Sequence, residues 1–176
     1  MLIPVKIVSM LAQDETVLIV DRDNNETGSA PRHVMRANGL AHRAAYILVF
    51  NSKNELFVQK RTMSKDIYPG YYDIAAGGVV LAGESYDGSA VRELEEELGI
   101  QDTPLTSHFT FCHEDGSNLV WGRVYSCTYD GEMTFQEEEI ESGFFMAPEK
   151  VLALSKKEPF TPDGLYVLKR YLRIEG

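Results

Sequence analysis

Residues 78–100 read GVVLAGESYDGSAVRELEEELGI, and the rest of the chain is best understood from this stretch. Its second half predicts a helix from about residue 88 to 98, with Ser85 or Asp87 as the N-terminal cap and Gly99 as the stop. Three glutamates at i, i+3 and i+4 fall on one face of this helix: Glu93, Glu96 and Glu97. Its buried stripe is predicted to contain Val91, Leu94 and Leu98.

Three carboxylates on one helix face are unfavourable unless something compensates them. Like charges at i and i+4 destabilise an isolated helix by about 0.2–0.5 kcal/mol per pair. Hard oxygen ligands suit Mg²⁺ or Mn²⁺, so the triplet is a candidate metal site. A solvated acidic face is the alternative. While no cation is bound, mutual repulsion is expected to raise the pKa of at least one of the three carboxyl groups.

The spacing of the stretch resembles the signature of the Nudix hydrolases. That signature is a Gly, five residues, a Glu, seven residues, and then Arg-Glu-apolar-x-Glu-Glu-x-Gly-apolar. Here its three blocks begin at Gly78, Glu84 and Arg92, and every defined position is filled. The resemblance implies a mixed sheet flanked by helices, with the signature forming a loop, a helix and a second loop.

The resemblance also implies a role for each matching residue. The metal, Mg²⁺ or alternatively Mn²⁺, would be held by Glu93, Glu96 and Glu97, with the carbonyl of Gly77 as a further ligand. Glu84 and Arg92 would brace the loop against the helix and so fix the side chains of the ligands. An ordinary surface ion pair is the alternative for these two residues.

Composition restricts the class of protein. The 176 residues are most simply one domain, 1–176, and the net charge of −10 disfavours a nucleic-acid-binding surface. Apolar runs are too short to span a membrane, and the first residues do not read as a signal peptide. Cys112 and Cys127 form no metal-ligand spacing and fit a reducing compartment, so we expect a cytoplasmic protein.

The remaining pattern predicts an α/β or α+β sandwich, with a mixed sheet between helices. An added N-terminal β-hairpin lies within the extension 1–38, and it is a candidate surface for a homodimer. Residues 55–60 are expected to pair back onto 42–51. We expect strands at 16–21, 26–30, 42–51, 55–60, 71–76, 107–113, 118–128 and 143–146, and helices at 31–38, 88–98, 148–154 and 162–172.

Residues 42–61, with Lys65, are similar to a second family, the isopentenyl-diphosphate isomerases. The chemistry of those enzymes needs a cysteine acid/base, an opposing glutamate and a metal site rich in histidine. This chain has Gly77 in place of that cysteine, and it has Val79 and Met35 in place of two of the histidines. The scaffold is therefore isomerase-like, whereas the signature predicts hydrolysis.

These observations predict metal-dependent hydrolysis of a phosphoanhydride bond in a small-molecule diphosphate. The general base is either Glu93 or an acid of a later loop, where Glu139 best matches the family pattern among Glu137, Glu138, Glu139 and Glu141. Arg61 and Lys65 are candidates for binding a phosphate, with an ordinary surface role as the alternative. Trp121 is a candidate for stacking on the substrate, with packing in the core as the alternative. An isomerase and a non-catalytic binding module are the alternative functions.

Overall fold

The computed structural model describes residues 14–173, which form four helices and one nine-stranded sheet. The order of elements fixes where the signature lies, because its loop and helix fall between two strands of the sheet. The elements are β1 (Thr16–Val20), β2 (Glu26–Pro31), α1 (Arg32–Asn38), β3 (His42–Phe50), β4 (Leu56–Arg61), β5 (Tyr72–Asp73), β6 (Ala76–Val79), α2 (Tyr86–Leu98), β7 (Thr106–Asp115), β8 (Asn118–Thr128), β9 (Ile140–Met146), α3 (Pro148–Leu154) and α4 (Pro162–Tyr171).

β3 is the central strand, and its two edges pair with strands from distant parts of the chain. On one edge, residues 42–50 pair in parallel with residues 120–128 of β8. On the other edge, residues 44–47 pair antiparallel with residues 76–79 of β6. The predicted mixed sheet is therefore confirmed. Because β6 contains the first residues of the signature, this pairing fixes the signature to the centre of the fold.

Both faces of the sheet are buried. Successive side chains of β3 point to opposite faces, and buried apolar residues occur on each. Ala45, Ile47 and Val49 belong to one apolar cluster, together with residues of α2. Leu48 belongs to a second cluster on the other face, with residues of α3 and α4. Helices thus cover both faces, and the predicted α+β sandwich is confirmed.

The predicted antiparallel pairing of β4 with β3 is present but short, and most of β4 has other partners. β4 meets β3 at one pair, Phe50 with Leu56, at the base of the turn that connects the two strands. Along the rest of its length β4 pairs with β9 and, at its end, with β5. The physical reason is that β8 and β6 already occupy the two edges of β3.

Two strand boundaries also differ from the prediction. The strand expected at 71–76 is divided into β5 and β6, because Asp73 Oδ1 accepts the backbone N–H groups of Ile74 at 2.8 Å and Ala75 at 3.3 Å. β9 begins at Ile140, so Glu141 belongs to a strand and not to the predicted acidic loop.

The signature helix α2 has the predicted caps but a different buried stripe. Ser85 Oγ accepts the N–H of Gly88 at 3.0 Å, and Gly99 ends the helix with φ 67°. The prediction that Val91 is buried is wrong, since 56% of its surface is exposed. Successive residues of a helix are about 100° apart around its axis, so Val91 points away from the core although the preceding Ala90 is buried. The buried side contains Tyr86, Ala90, Leu94, Leu98 and the acidic Glu97.

The predicted hairpin is present as β1 and β2, which pair antiparallel and join β3 where Ile19 pairs with His42. α1 follows the hairpin and buries Met35 against Val17 and Val79. Residues 1–13 of the predicted extension lie outside the described part of the chain. Within residues 14–173, no helix combines the length and the apolar character that crossing a membrane requires.

Candidate active site

One cavity collects most of the residues that were predicted to be functional. Its lining comes from α1, β3, the segment after β4, β6, α2 and the loop before β9. Glu84 and Trp121 are not among its described lining residues. The predicted residues that it does contain are Arg61, Lys65, Gly77, Arg92, Glu93, Glu96, Glu97 and Glu139.

One signature glutamate, Glu97, is buried, and the side chain of a second, Glu93, is largely buried. The residue Glu97 is 6% exposed, and the side chain of Glu93 is 12% exposed. Burial raises the pKa of Glu93 to about 7 despite the opposing charge of Arg92. Burial also raises the pKa of Glu97, with smaller contributions from the charges of Glu93 and Glu139. The raised pKa expected from repulsion is thus present, but burial is its larger cause.

Arg92 connects the signature loop to the helix. Its Nε donates to Glu84 Oε1 at 2.7 Å and its Nη2 to Oε2 at 3.0 Å. Glu84 Oε2 in turn accepts the backbone N–H of Leu81 at 3.0 Å. These contacts join the loop that precedes α2 to the helix itself. On its other side, Arg92 Nη1 donates to Glu93 at 2.8 Å and to Glu96 at 3.1 Å.

Gly77 and Gly78 bring the backbone of β6 close to its neighbours. Gly77 has φ 142°, and a Cβ there would lie 1.9 Å from the carbonyl oxygen of Ala45. A Cβ on Gly78 would lie 2.6 Å from Glu93 Oε1. The N–H of Gly77 donates to Glu97 Oε2 at 3.2 Å. A side chain at either position would therefore displace the strand or the carboxylates.

The carboxylates of Glu93, Glu96 and Glu97 are suitable ligands for a divalent cation, although two of them contact Arg92 in this structure. Among residues 14–173, no three His, Cys, Asp or Glu side chains are grouped closely enough to hold a metal ion. Glu93 and Glu96 contact Arg92 instead. Ligation by all three signature glutamates would therefore require Glu93 and Glu96 to leave Arg92. Buried carboxylates with raised pKa values are groups that a bound cation would stabilise in the ionised form.

Glu139 reaches the same cavity from the loop before β9. It forms an ion pair with Lys65, whose side chain is 12% exposed. The charge of Glu139 contributes to the raised pKa of Glu97, so the two carboxyl groups are close. Of the four acids considered as a base in this segment, Glu139 is the one in the described lining. Glu141 pairs instead with Lys60 at 3.6 Å.

The two remaining predicted binding residues have different positions. Arg61 lies in the cavity but holds the segment after β4, donating to the carbonyls of Ile67 at 2.9 Å and Tyr68 at 3.3 Å. Its Nη1 also lies 3.5 Å from Asp73 Oδ2. Trp121 is on β8 outside the described lining, so its position gives no support to a role in stacking on the substrate.

A second cluster of polar residues lines the cavity, and the sequence analysis did not identify it: Tyr46, Asp73 and Asp163. Tyr46 donates its hydroxyl to Asp163 Oδ2 at 2.8 Å. Burial raises the pKa of Asp73 to about 6; Arg61 opposes this rise, and the charge of Asp163 adds to it. These residues come from β3, β5 and α4, and no motif connects such distant positions. Their proximity is a consequence of the tertiary fold.

His42 is the first residue of β3 and lines the cavity, and its ring contacts the backbone. Its Nδ1 lies 3.0 Å from the carbonyl oxygen of Leu40. Burial lowers the pKa of His42 to about 4. The ring is therefore neutral at physiological pH, with Nδ1–H as the donor.

Sequence reasoning also missed Arg32 and Arg36 of α1, which line the cavity. Their spacing of four residues on a short helix was a signal that could have drawn attention to them. The hairpin and α1 precede the signature by forty residues or more, and no local pattern places them beside it.

Comparison with known proteins identifies the family. A family model described as the NUDIX domain matches residues 40–170. The chain belongs to the Nudix family. The match begins at the end of α1 and runs into α4, so it includes β3, the signature and the loop that contains Glu139.

Curated relatives agree with this assignment. An uncharacterized Nudix hydrolase of Pseudomonas aeruginosa is 46% identical over 158 residues, covering 90% of this chain and 94% of its own length. An uncharacterized Nudix hydrolase of Escherichia coli K12 is 42% identical over 163 residues, covering 93% and 89%. Membership in this family of hydrolases implies a pyrophosphohydrolase activity.

Solved structures confirm the Nudix fold. A crystal structure from Deinococcus radiodurans superposes with a TM-score of 0.79 at 24% identity, covering 89% of this chain and 98% of that one. The NUDIX domain of Shewanella oneidensis NrtR, solved as a complex with ADP ribose, gives a TM-score of 0.62 at 14% identity, covering 76% and 87%. These likenesses concern the fold. The isomerase-like subgroup is not shown by any of the matches described here.

Proposed function

We propose that this Nudix protein is a Mg²⁺- or Mn²⁺-dependent hydrolase that cleaves the phosphoanhydride bond of an organic diphosphate, such as a nucleoside diphosphate joined to a further group. The observation that carries the proposal is the burial of Glu93 and Glu97 in the lining of a cavity that also contains Glu96 and Glu139. Ionised carboxylates are costly to bury without a compensating cation. This arrangement is suited to binding metal ions together with a phosphorylated substrate.

The proposed ligands are Glu93, Glu96, Glu97 and the carbonyl of Gly77. A divalent cation in such a site neutralises charge on the phosphates and lowers the pKa of bound water. Arg92 has two tasks in this proposal. It keeps the signature loop fixed through Glu84, and it pairs with Glu93 and Glu96, the carboxylates that would hold the cation.

Two carboxylates are candidates for the general base. Glu93 is one of them, because its carboxylate lies in the cavity beside Arg92. Glu139 is the alternative, and its ion pair with Lys65 holds it near Glu97. Lys65 would also place a cation beside the phosphates, whereas Arg61 would shape the segment around them.

A screen for hydrolysis tests the proposal. The full-length protein would be incubated with nucleotides, nucleotide sugars, dinucleotides, coenzyme A and isoprenoid diphosphates in Mg²⁺ or Mn²⁺. We expect release of phosphate or a monophosphate from at least one compound, and loss of that release in excess chelator. Turnover that is unchanged by chelator would contradict the metal dependence. An absence of turnover throughout the panel would contradict the hydrolase proposal.

The isomerase alternative has less support from the site. Of the two cysteines, Cys112 is exposed and Cys127 is in the core, and neither is among the described lining residues. Gly77 and Val79 occupy the positions where that chemistry needs a cysteine and a histidine. Incubation with isopentenyl diphosphate in deuterated water separates the two functions, because deuterium would enter the carbon skeleton during isomerisation and not during hydrolysis.

A binding module without catalysis is the remaining alternative. It predicts tight binding of a panel compound in calorimetry, with no turnover in any divalent metal. The complete set of signature residues favours the enzyme, because binding alone does not need a candidate base beside three metal carboxylates.

We also retain a cytoplasmic location and a homodimer as proposals. The two cysteines are both free thiols, which fits a reducing compartment. Among residues 14–173, β2 is the terminal strand in the path β2-β1-β3-β4-β5, and most of its residues are exposed. An edge strand with unpaired backbone groups can pair with a second copy. Analytical ultracentrifugation of the full-length chain tests for the dimer.

A further inference from the structure

Two arginines of α1 line the same cavity as the signature carboxylates. Arg32 and Arg36 are four residues apart, so they share one side of the helix. Their side chains are largely buried, with 23% and 25% of the surface exposed. Arg32 is near enough to Glu93 to lower the pKa of that carboxyl group. Arg32 is therefore within the electrostatic range of one proposed metal ligand, and Arg36 lines the same cavity.

The guanidinium donors of this pair are poorly used. Arg32 Nη1 lies 3.4 Å from Glu15 Oε2, and Arg36 Nη1 lies 3.4 Å from Asn118 Oδ1. Arg36 Nε is 3.9 Å from Asp66 Oδ2; it is buried and has no hydrogen-bond partner among the described residues. Charge-assisted N–H···O bonds are about 2.7–2.9 Å long. Both arginines thus keep donors that an anion could use.

The other cations of the cavity are already committed to protein groups. Arg92 makes two bonds of 2.7 and 3.0 Å to Glu84. Arg61 donates to backbone carbonyls, and Lys65 is paired with Glu139. These three side chains each have close protein partners for their charged groups. Arg32 and Arg36 differ, because their contacts with protein groups are longer and the Nε of Arg36 has no hydrogen bond among the described residues.

The position of the pair is unfavourable for the folded protein by itself. Like charges at i and i+4 repel, and Arg32 is at the first residue of a helix, where the helix dipole disfavours a cation. Burial, with a smaller contribution from Arg32, lowers the pKa of Arg36. Each of these effects would be reversed by an anion bound between the two guanidinium groups.

We propose that Arg32 and Arg36 form a phosphate-binding site, which holds the phosphate of the substrate that the signature carboxylates do not engage through metal. The geometry that points to it is the buried Nε of Arg36, which has no hydrogen bond among the described residues and lies beside a second arginine in the lining of the proposed active site. Guanidinium groups match phosphate because their planar donors reach two oxygens at once. The inference rests on the proposed function for the identity of the ligand, and the N-terminal extension thereby supplies part of the substrate site.

Binding of inorganic diphosphate to the full-length protein tests the site independently of catalysis. Calorimetry would be done at low ionic strength with EDTA, so that no metal can carry the anion. We expect binding by the wild type, about tenfold weaker binding by Arg36→Gln, and a larger loss in the Arg32→Gln/Arg36→Gln double variant. Arg22→Gln is the matched control, because Arg22 is exposed, pairs with Glu114 and lies outside the described lining. Its affinity is expected to equal that of the wild type.

Arg36→Lys keeps the charge and removes the planar donors, so it provides a second test if Arg36→Gln does not fold. It is expected to bind inorganic diphosphate several-fold more weakly than the wild type. No binding by the wild type, or equal binding by the wild type and the double variant, would overturn the site. If the hydrolysis screen finds a substrate, Arg36→Gln should raise its KM more than it lowers kcat, and an unchanged KM would also overturn the proposal. A failed screen with diphosphate binding lost in the variants would reject the hydrolase and retain the site.

Discussion

Gly77 and Gly78 lie where β6 passes close to β3 and to Glu93. The sequence predicted a functional role for Gly77 from the family resemblance, but it could not show why a glycine is needed there. The structure gives the reason as distances, since each added Cβ would overlap the Ala45 backbone or the Glu93 carboxylate. Glycine is therefore required at both positions because any side chain would overlap neighbouring atoms.

Gly77→Ala is predicted to lower the free energy of unfolding by about 3 kcal/mol or more, since a backbone conformation reserved for glycine is combined with overlap of backbone atoms. Gly83→Ala is the matched control, because its φ is 83° and a Cβ there has nothing within 4 Å. We expect that control to cost about 1–2 kcal/mol, the price of a left-handed conformation alone. Urea denaturation measures both. Equal losses would contradict the close approach of Gly77 to Ala45.

At the scale of elements, α2 uses one surface both for packing and for chemistry. The periodic pattern predicted its span and caps, because these depend on neighbouring residues. It misplaced Val91 and did not indicate that Glu97 is buried, because the exact contact face of a helix depends on the sheet beneath it. Glu97 is 6% exposed and Val91 is 56% exposed, the reverse of what polarity alone indicates.

Leu94→Ala in α2 is predicted to reduce the free energy of unfolding by about 2–5 kcal/mol, because the truncation leaves a cavity in the core. Val91→Ala should change it by less than about 0.5 kcal/mol, because this side chain is exposed. Thermal or chemical unfolding of both variants gives the comparison. A large loss for Val91→Ala would mean that the helix is rotated relative to the structure described here.

At the scale of the whole molecule, the sequence predicted the sandwich, the hairpin and the signature site, since each follows from local patterns. It did not predict that β3 pairs in parallel with β8, that most of β4 pairs with β9, or that α1 lines the cavity. These features depend on contacts between residues far apart in the chain. Arg32, Asp73 and Asp163 were missed for the same reason: each is unremarkable in sequence until the fold brings it to the cavity.

Stability should depend on pH through Asp73, which is held between β4, β5 and α4. Its folded pKa is raised from 3.8 to about 6, mainly by burial. Its contribution to stability is therefore present below about pH 4 and is lost as the pH rises through about 6, amounting to at most about 3 kcal/mol. Asp73→Asn should flatten this part of the profile.

The profile would be measured by urea denaturation between pH 4 and 7 in EDTA, for the wild type, Asp73→Asn and the exposed control Asp23→Asn. The difference between wild type and Asp73→Asn should change across pH 4–6, whereas that for Asp23→Asn should stay constant. A wild-type stability that rises through this window because of Asp73 would mean that the sign of its pKa shift is wrong.

The central claim is that the signature glutamates bind the metal that hydrolysis requires. Its most direct test is the rate of phosphoanhydride hydrolysis by Glu97→Gln and Glu95→Gln, measured in Mg²⁺ on the substrate found by the screen. Both changes remove one charge from α2, but Glu97 is buried in the site and Glu95 is exposed. We predict a loss of about 100-fold or more for Glu97→Gln, at least as large as that for residues that merely support metal ligands. The rate of Glu95→Gln should stay within about twofold of the wild type, as for an exposed position away from the site. A folded Glu97→Gln variant as active as Glu95→Gln would contradict the account.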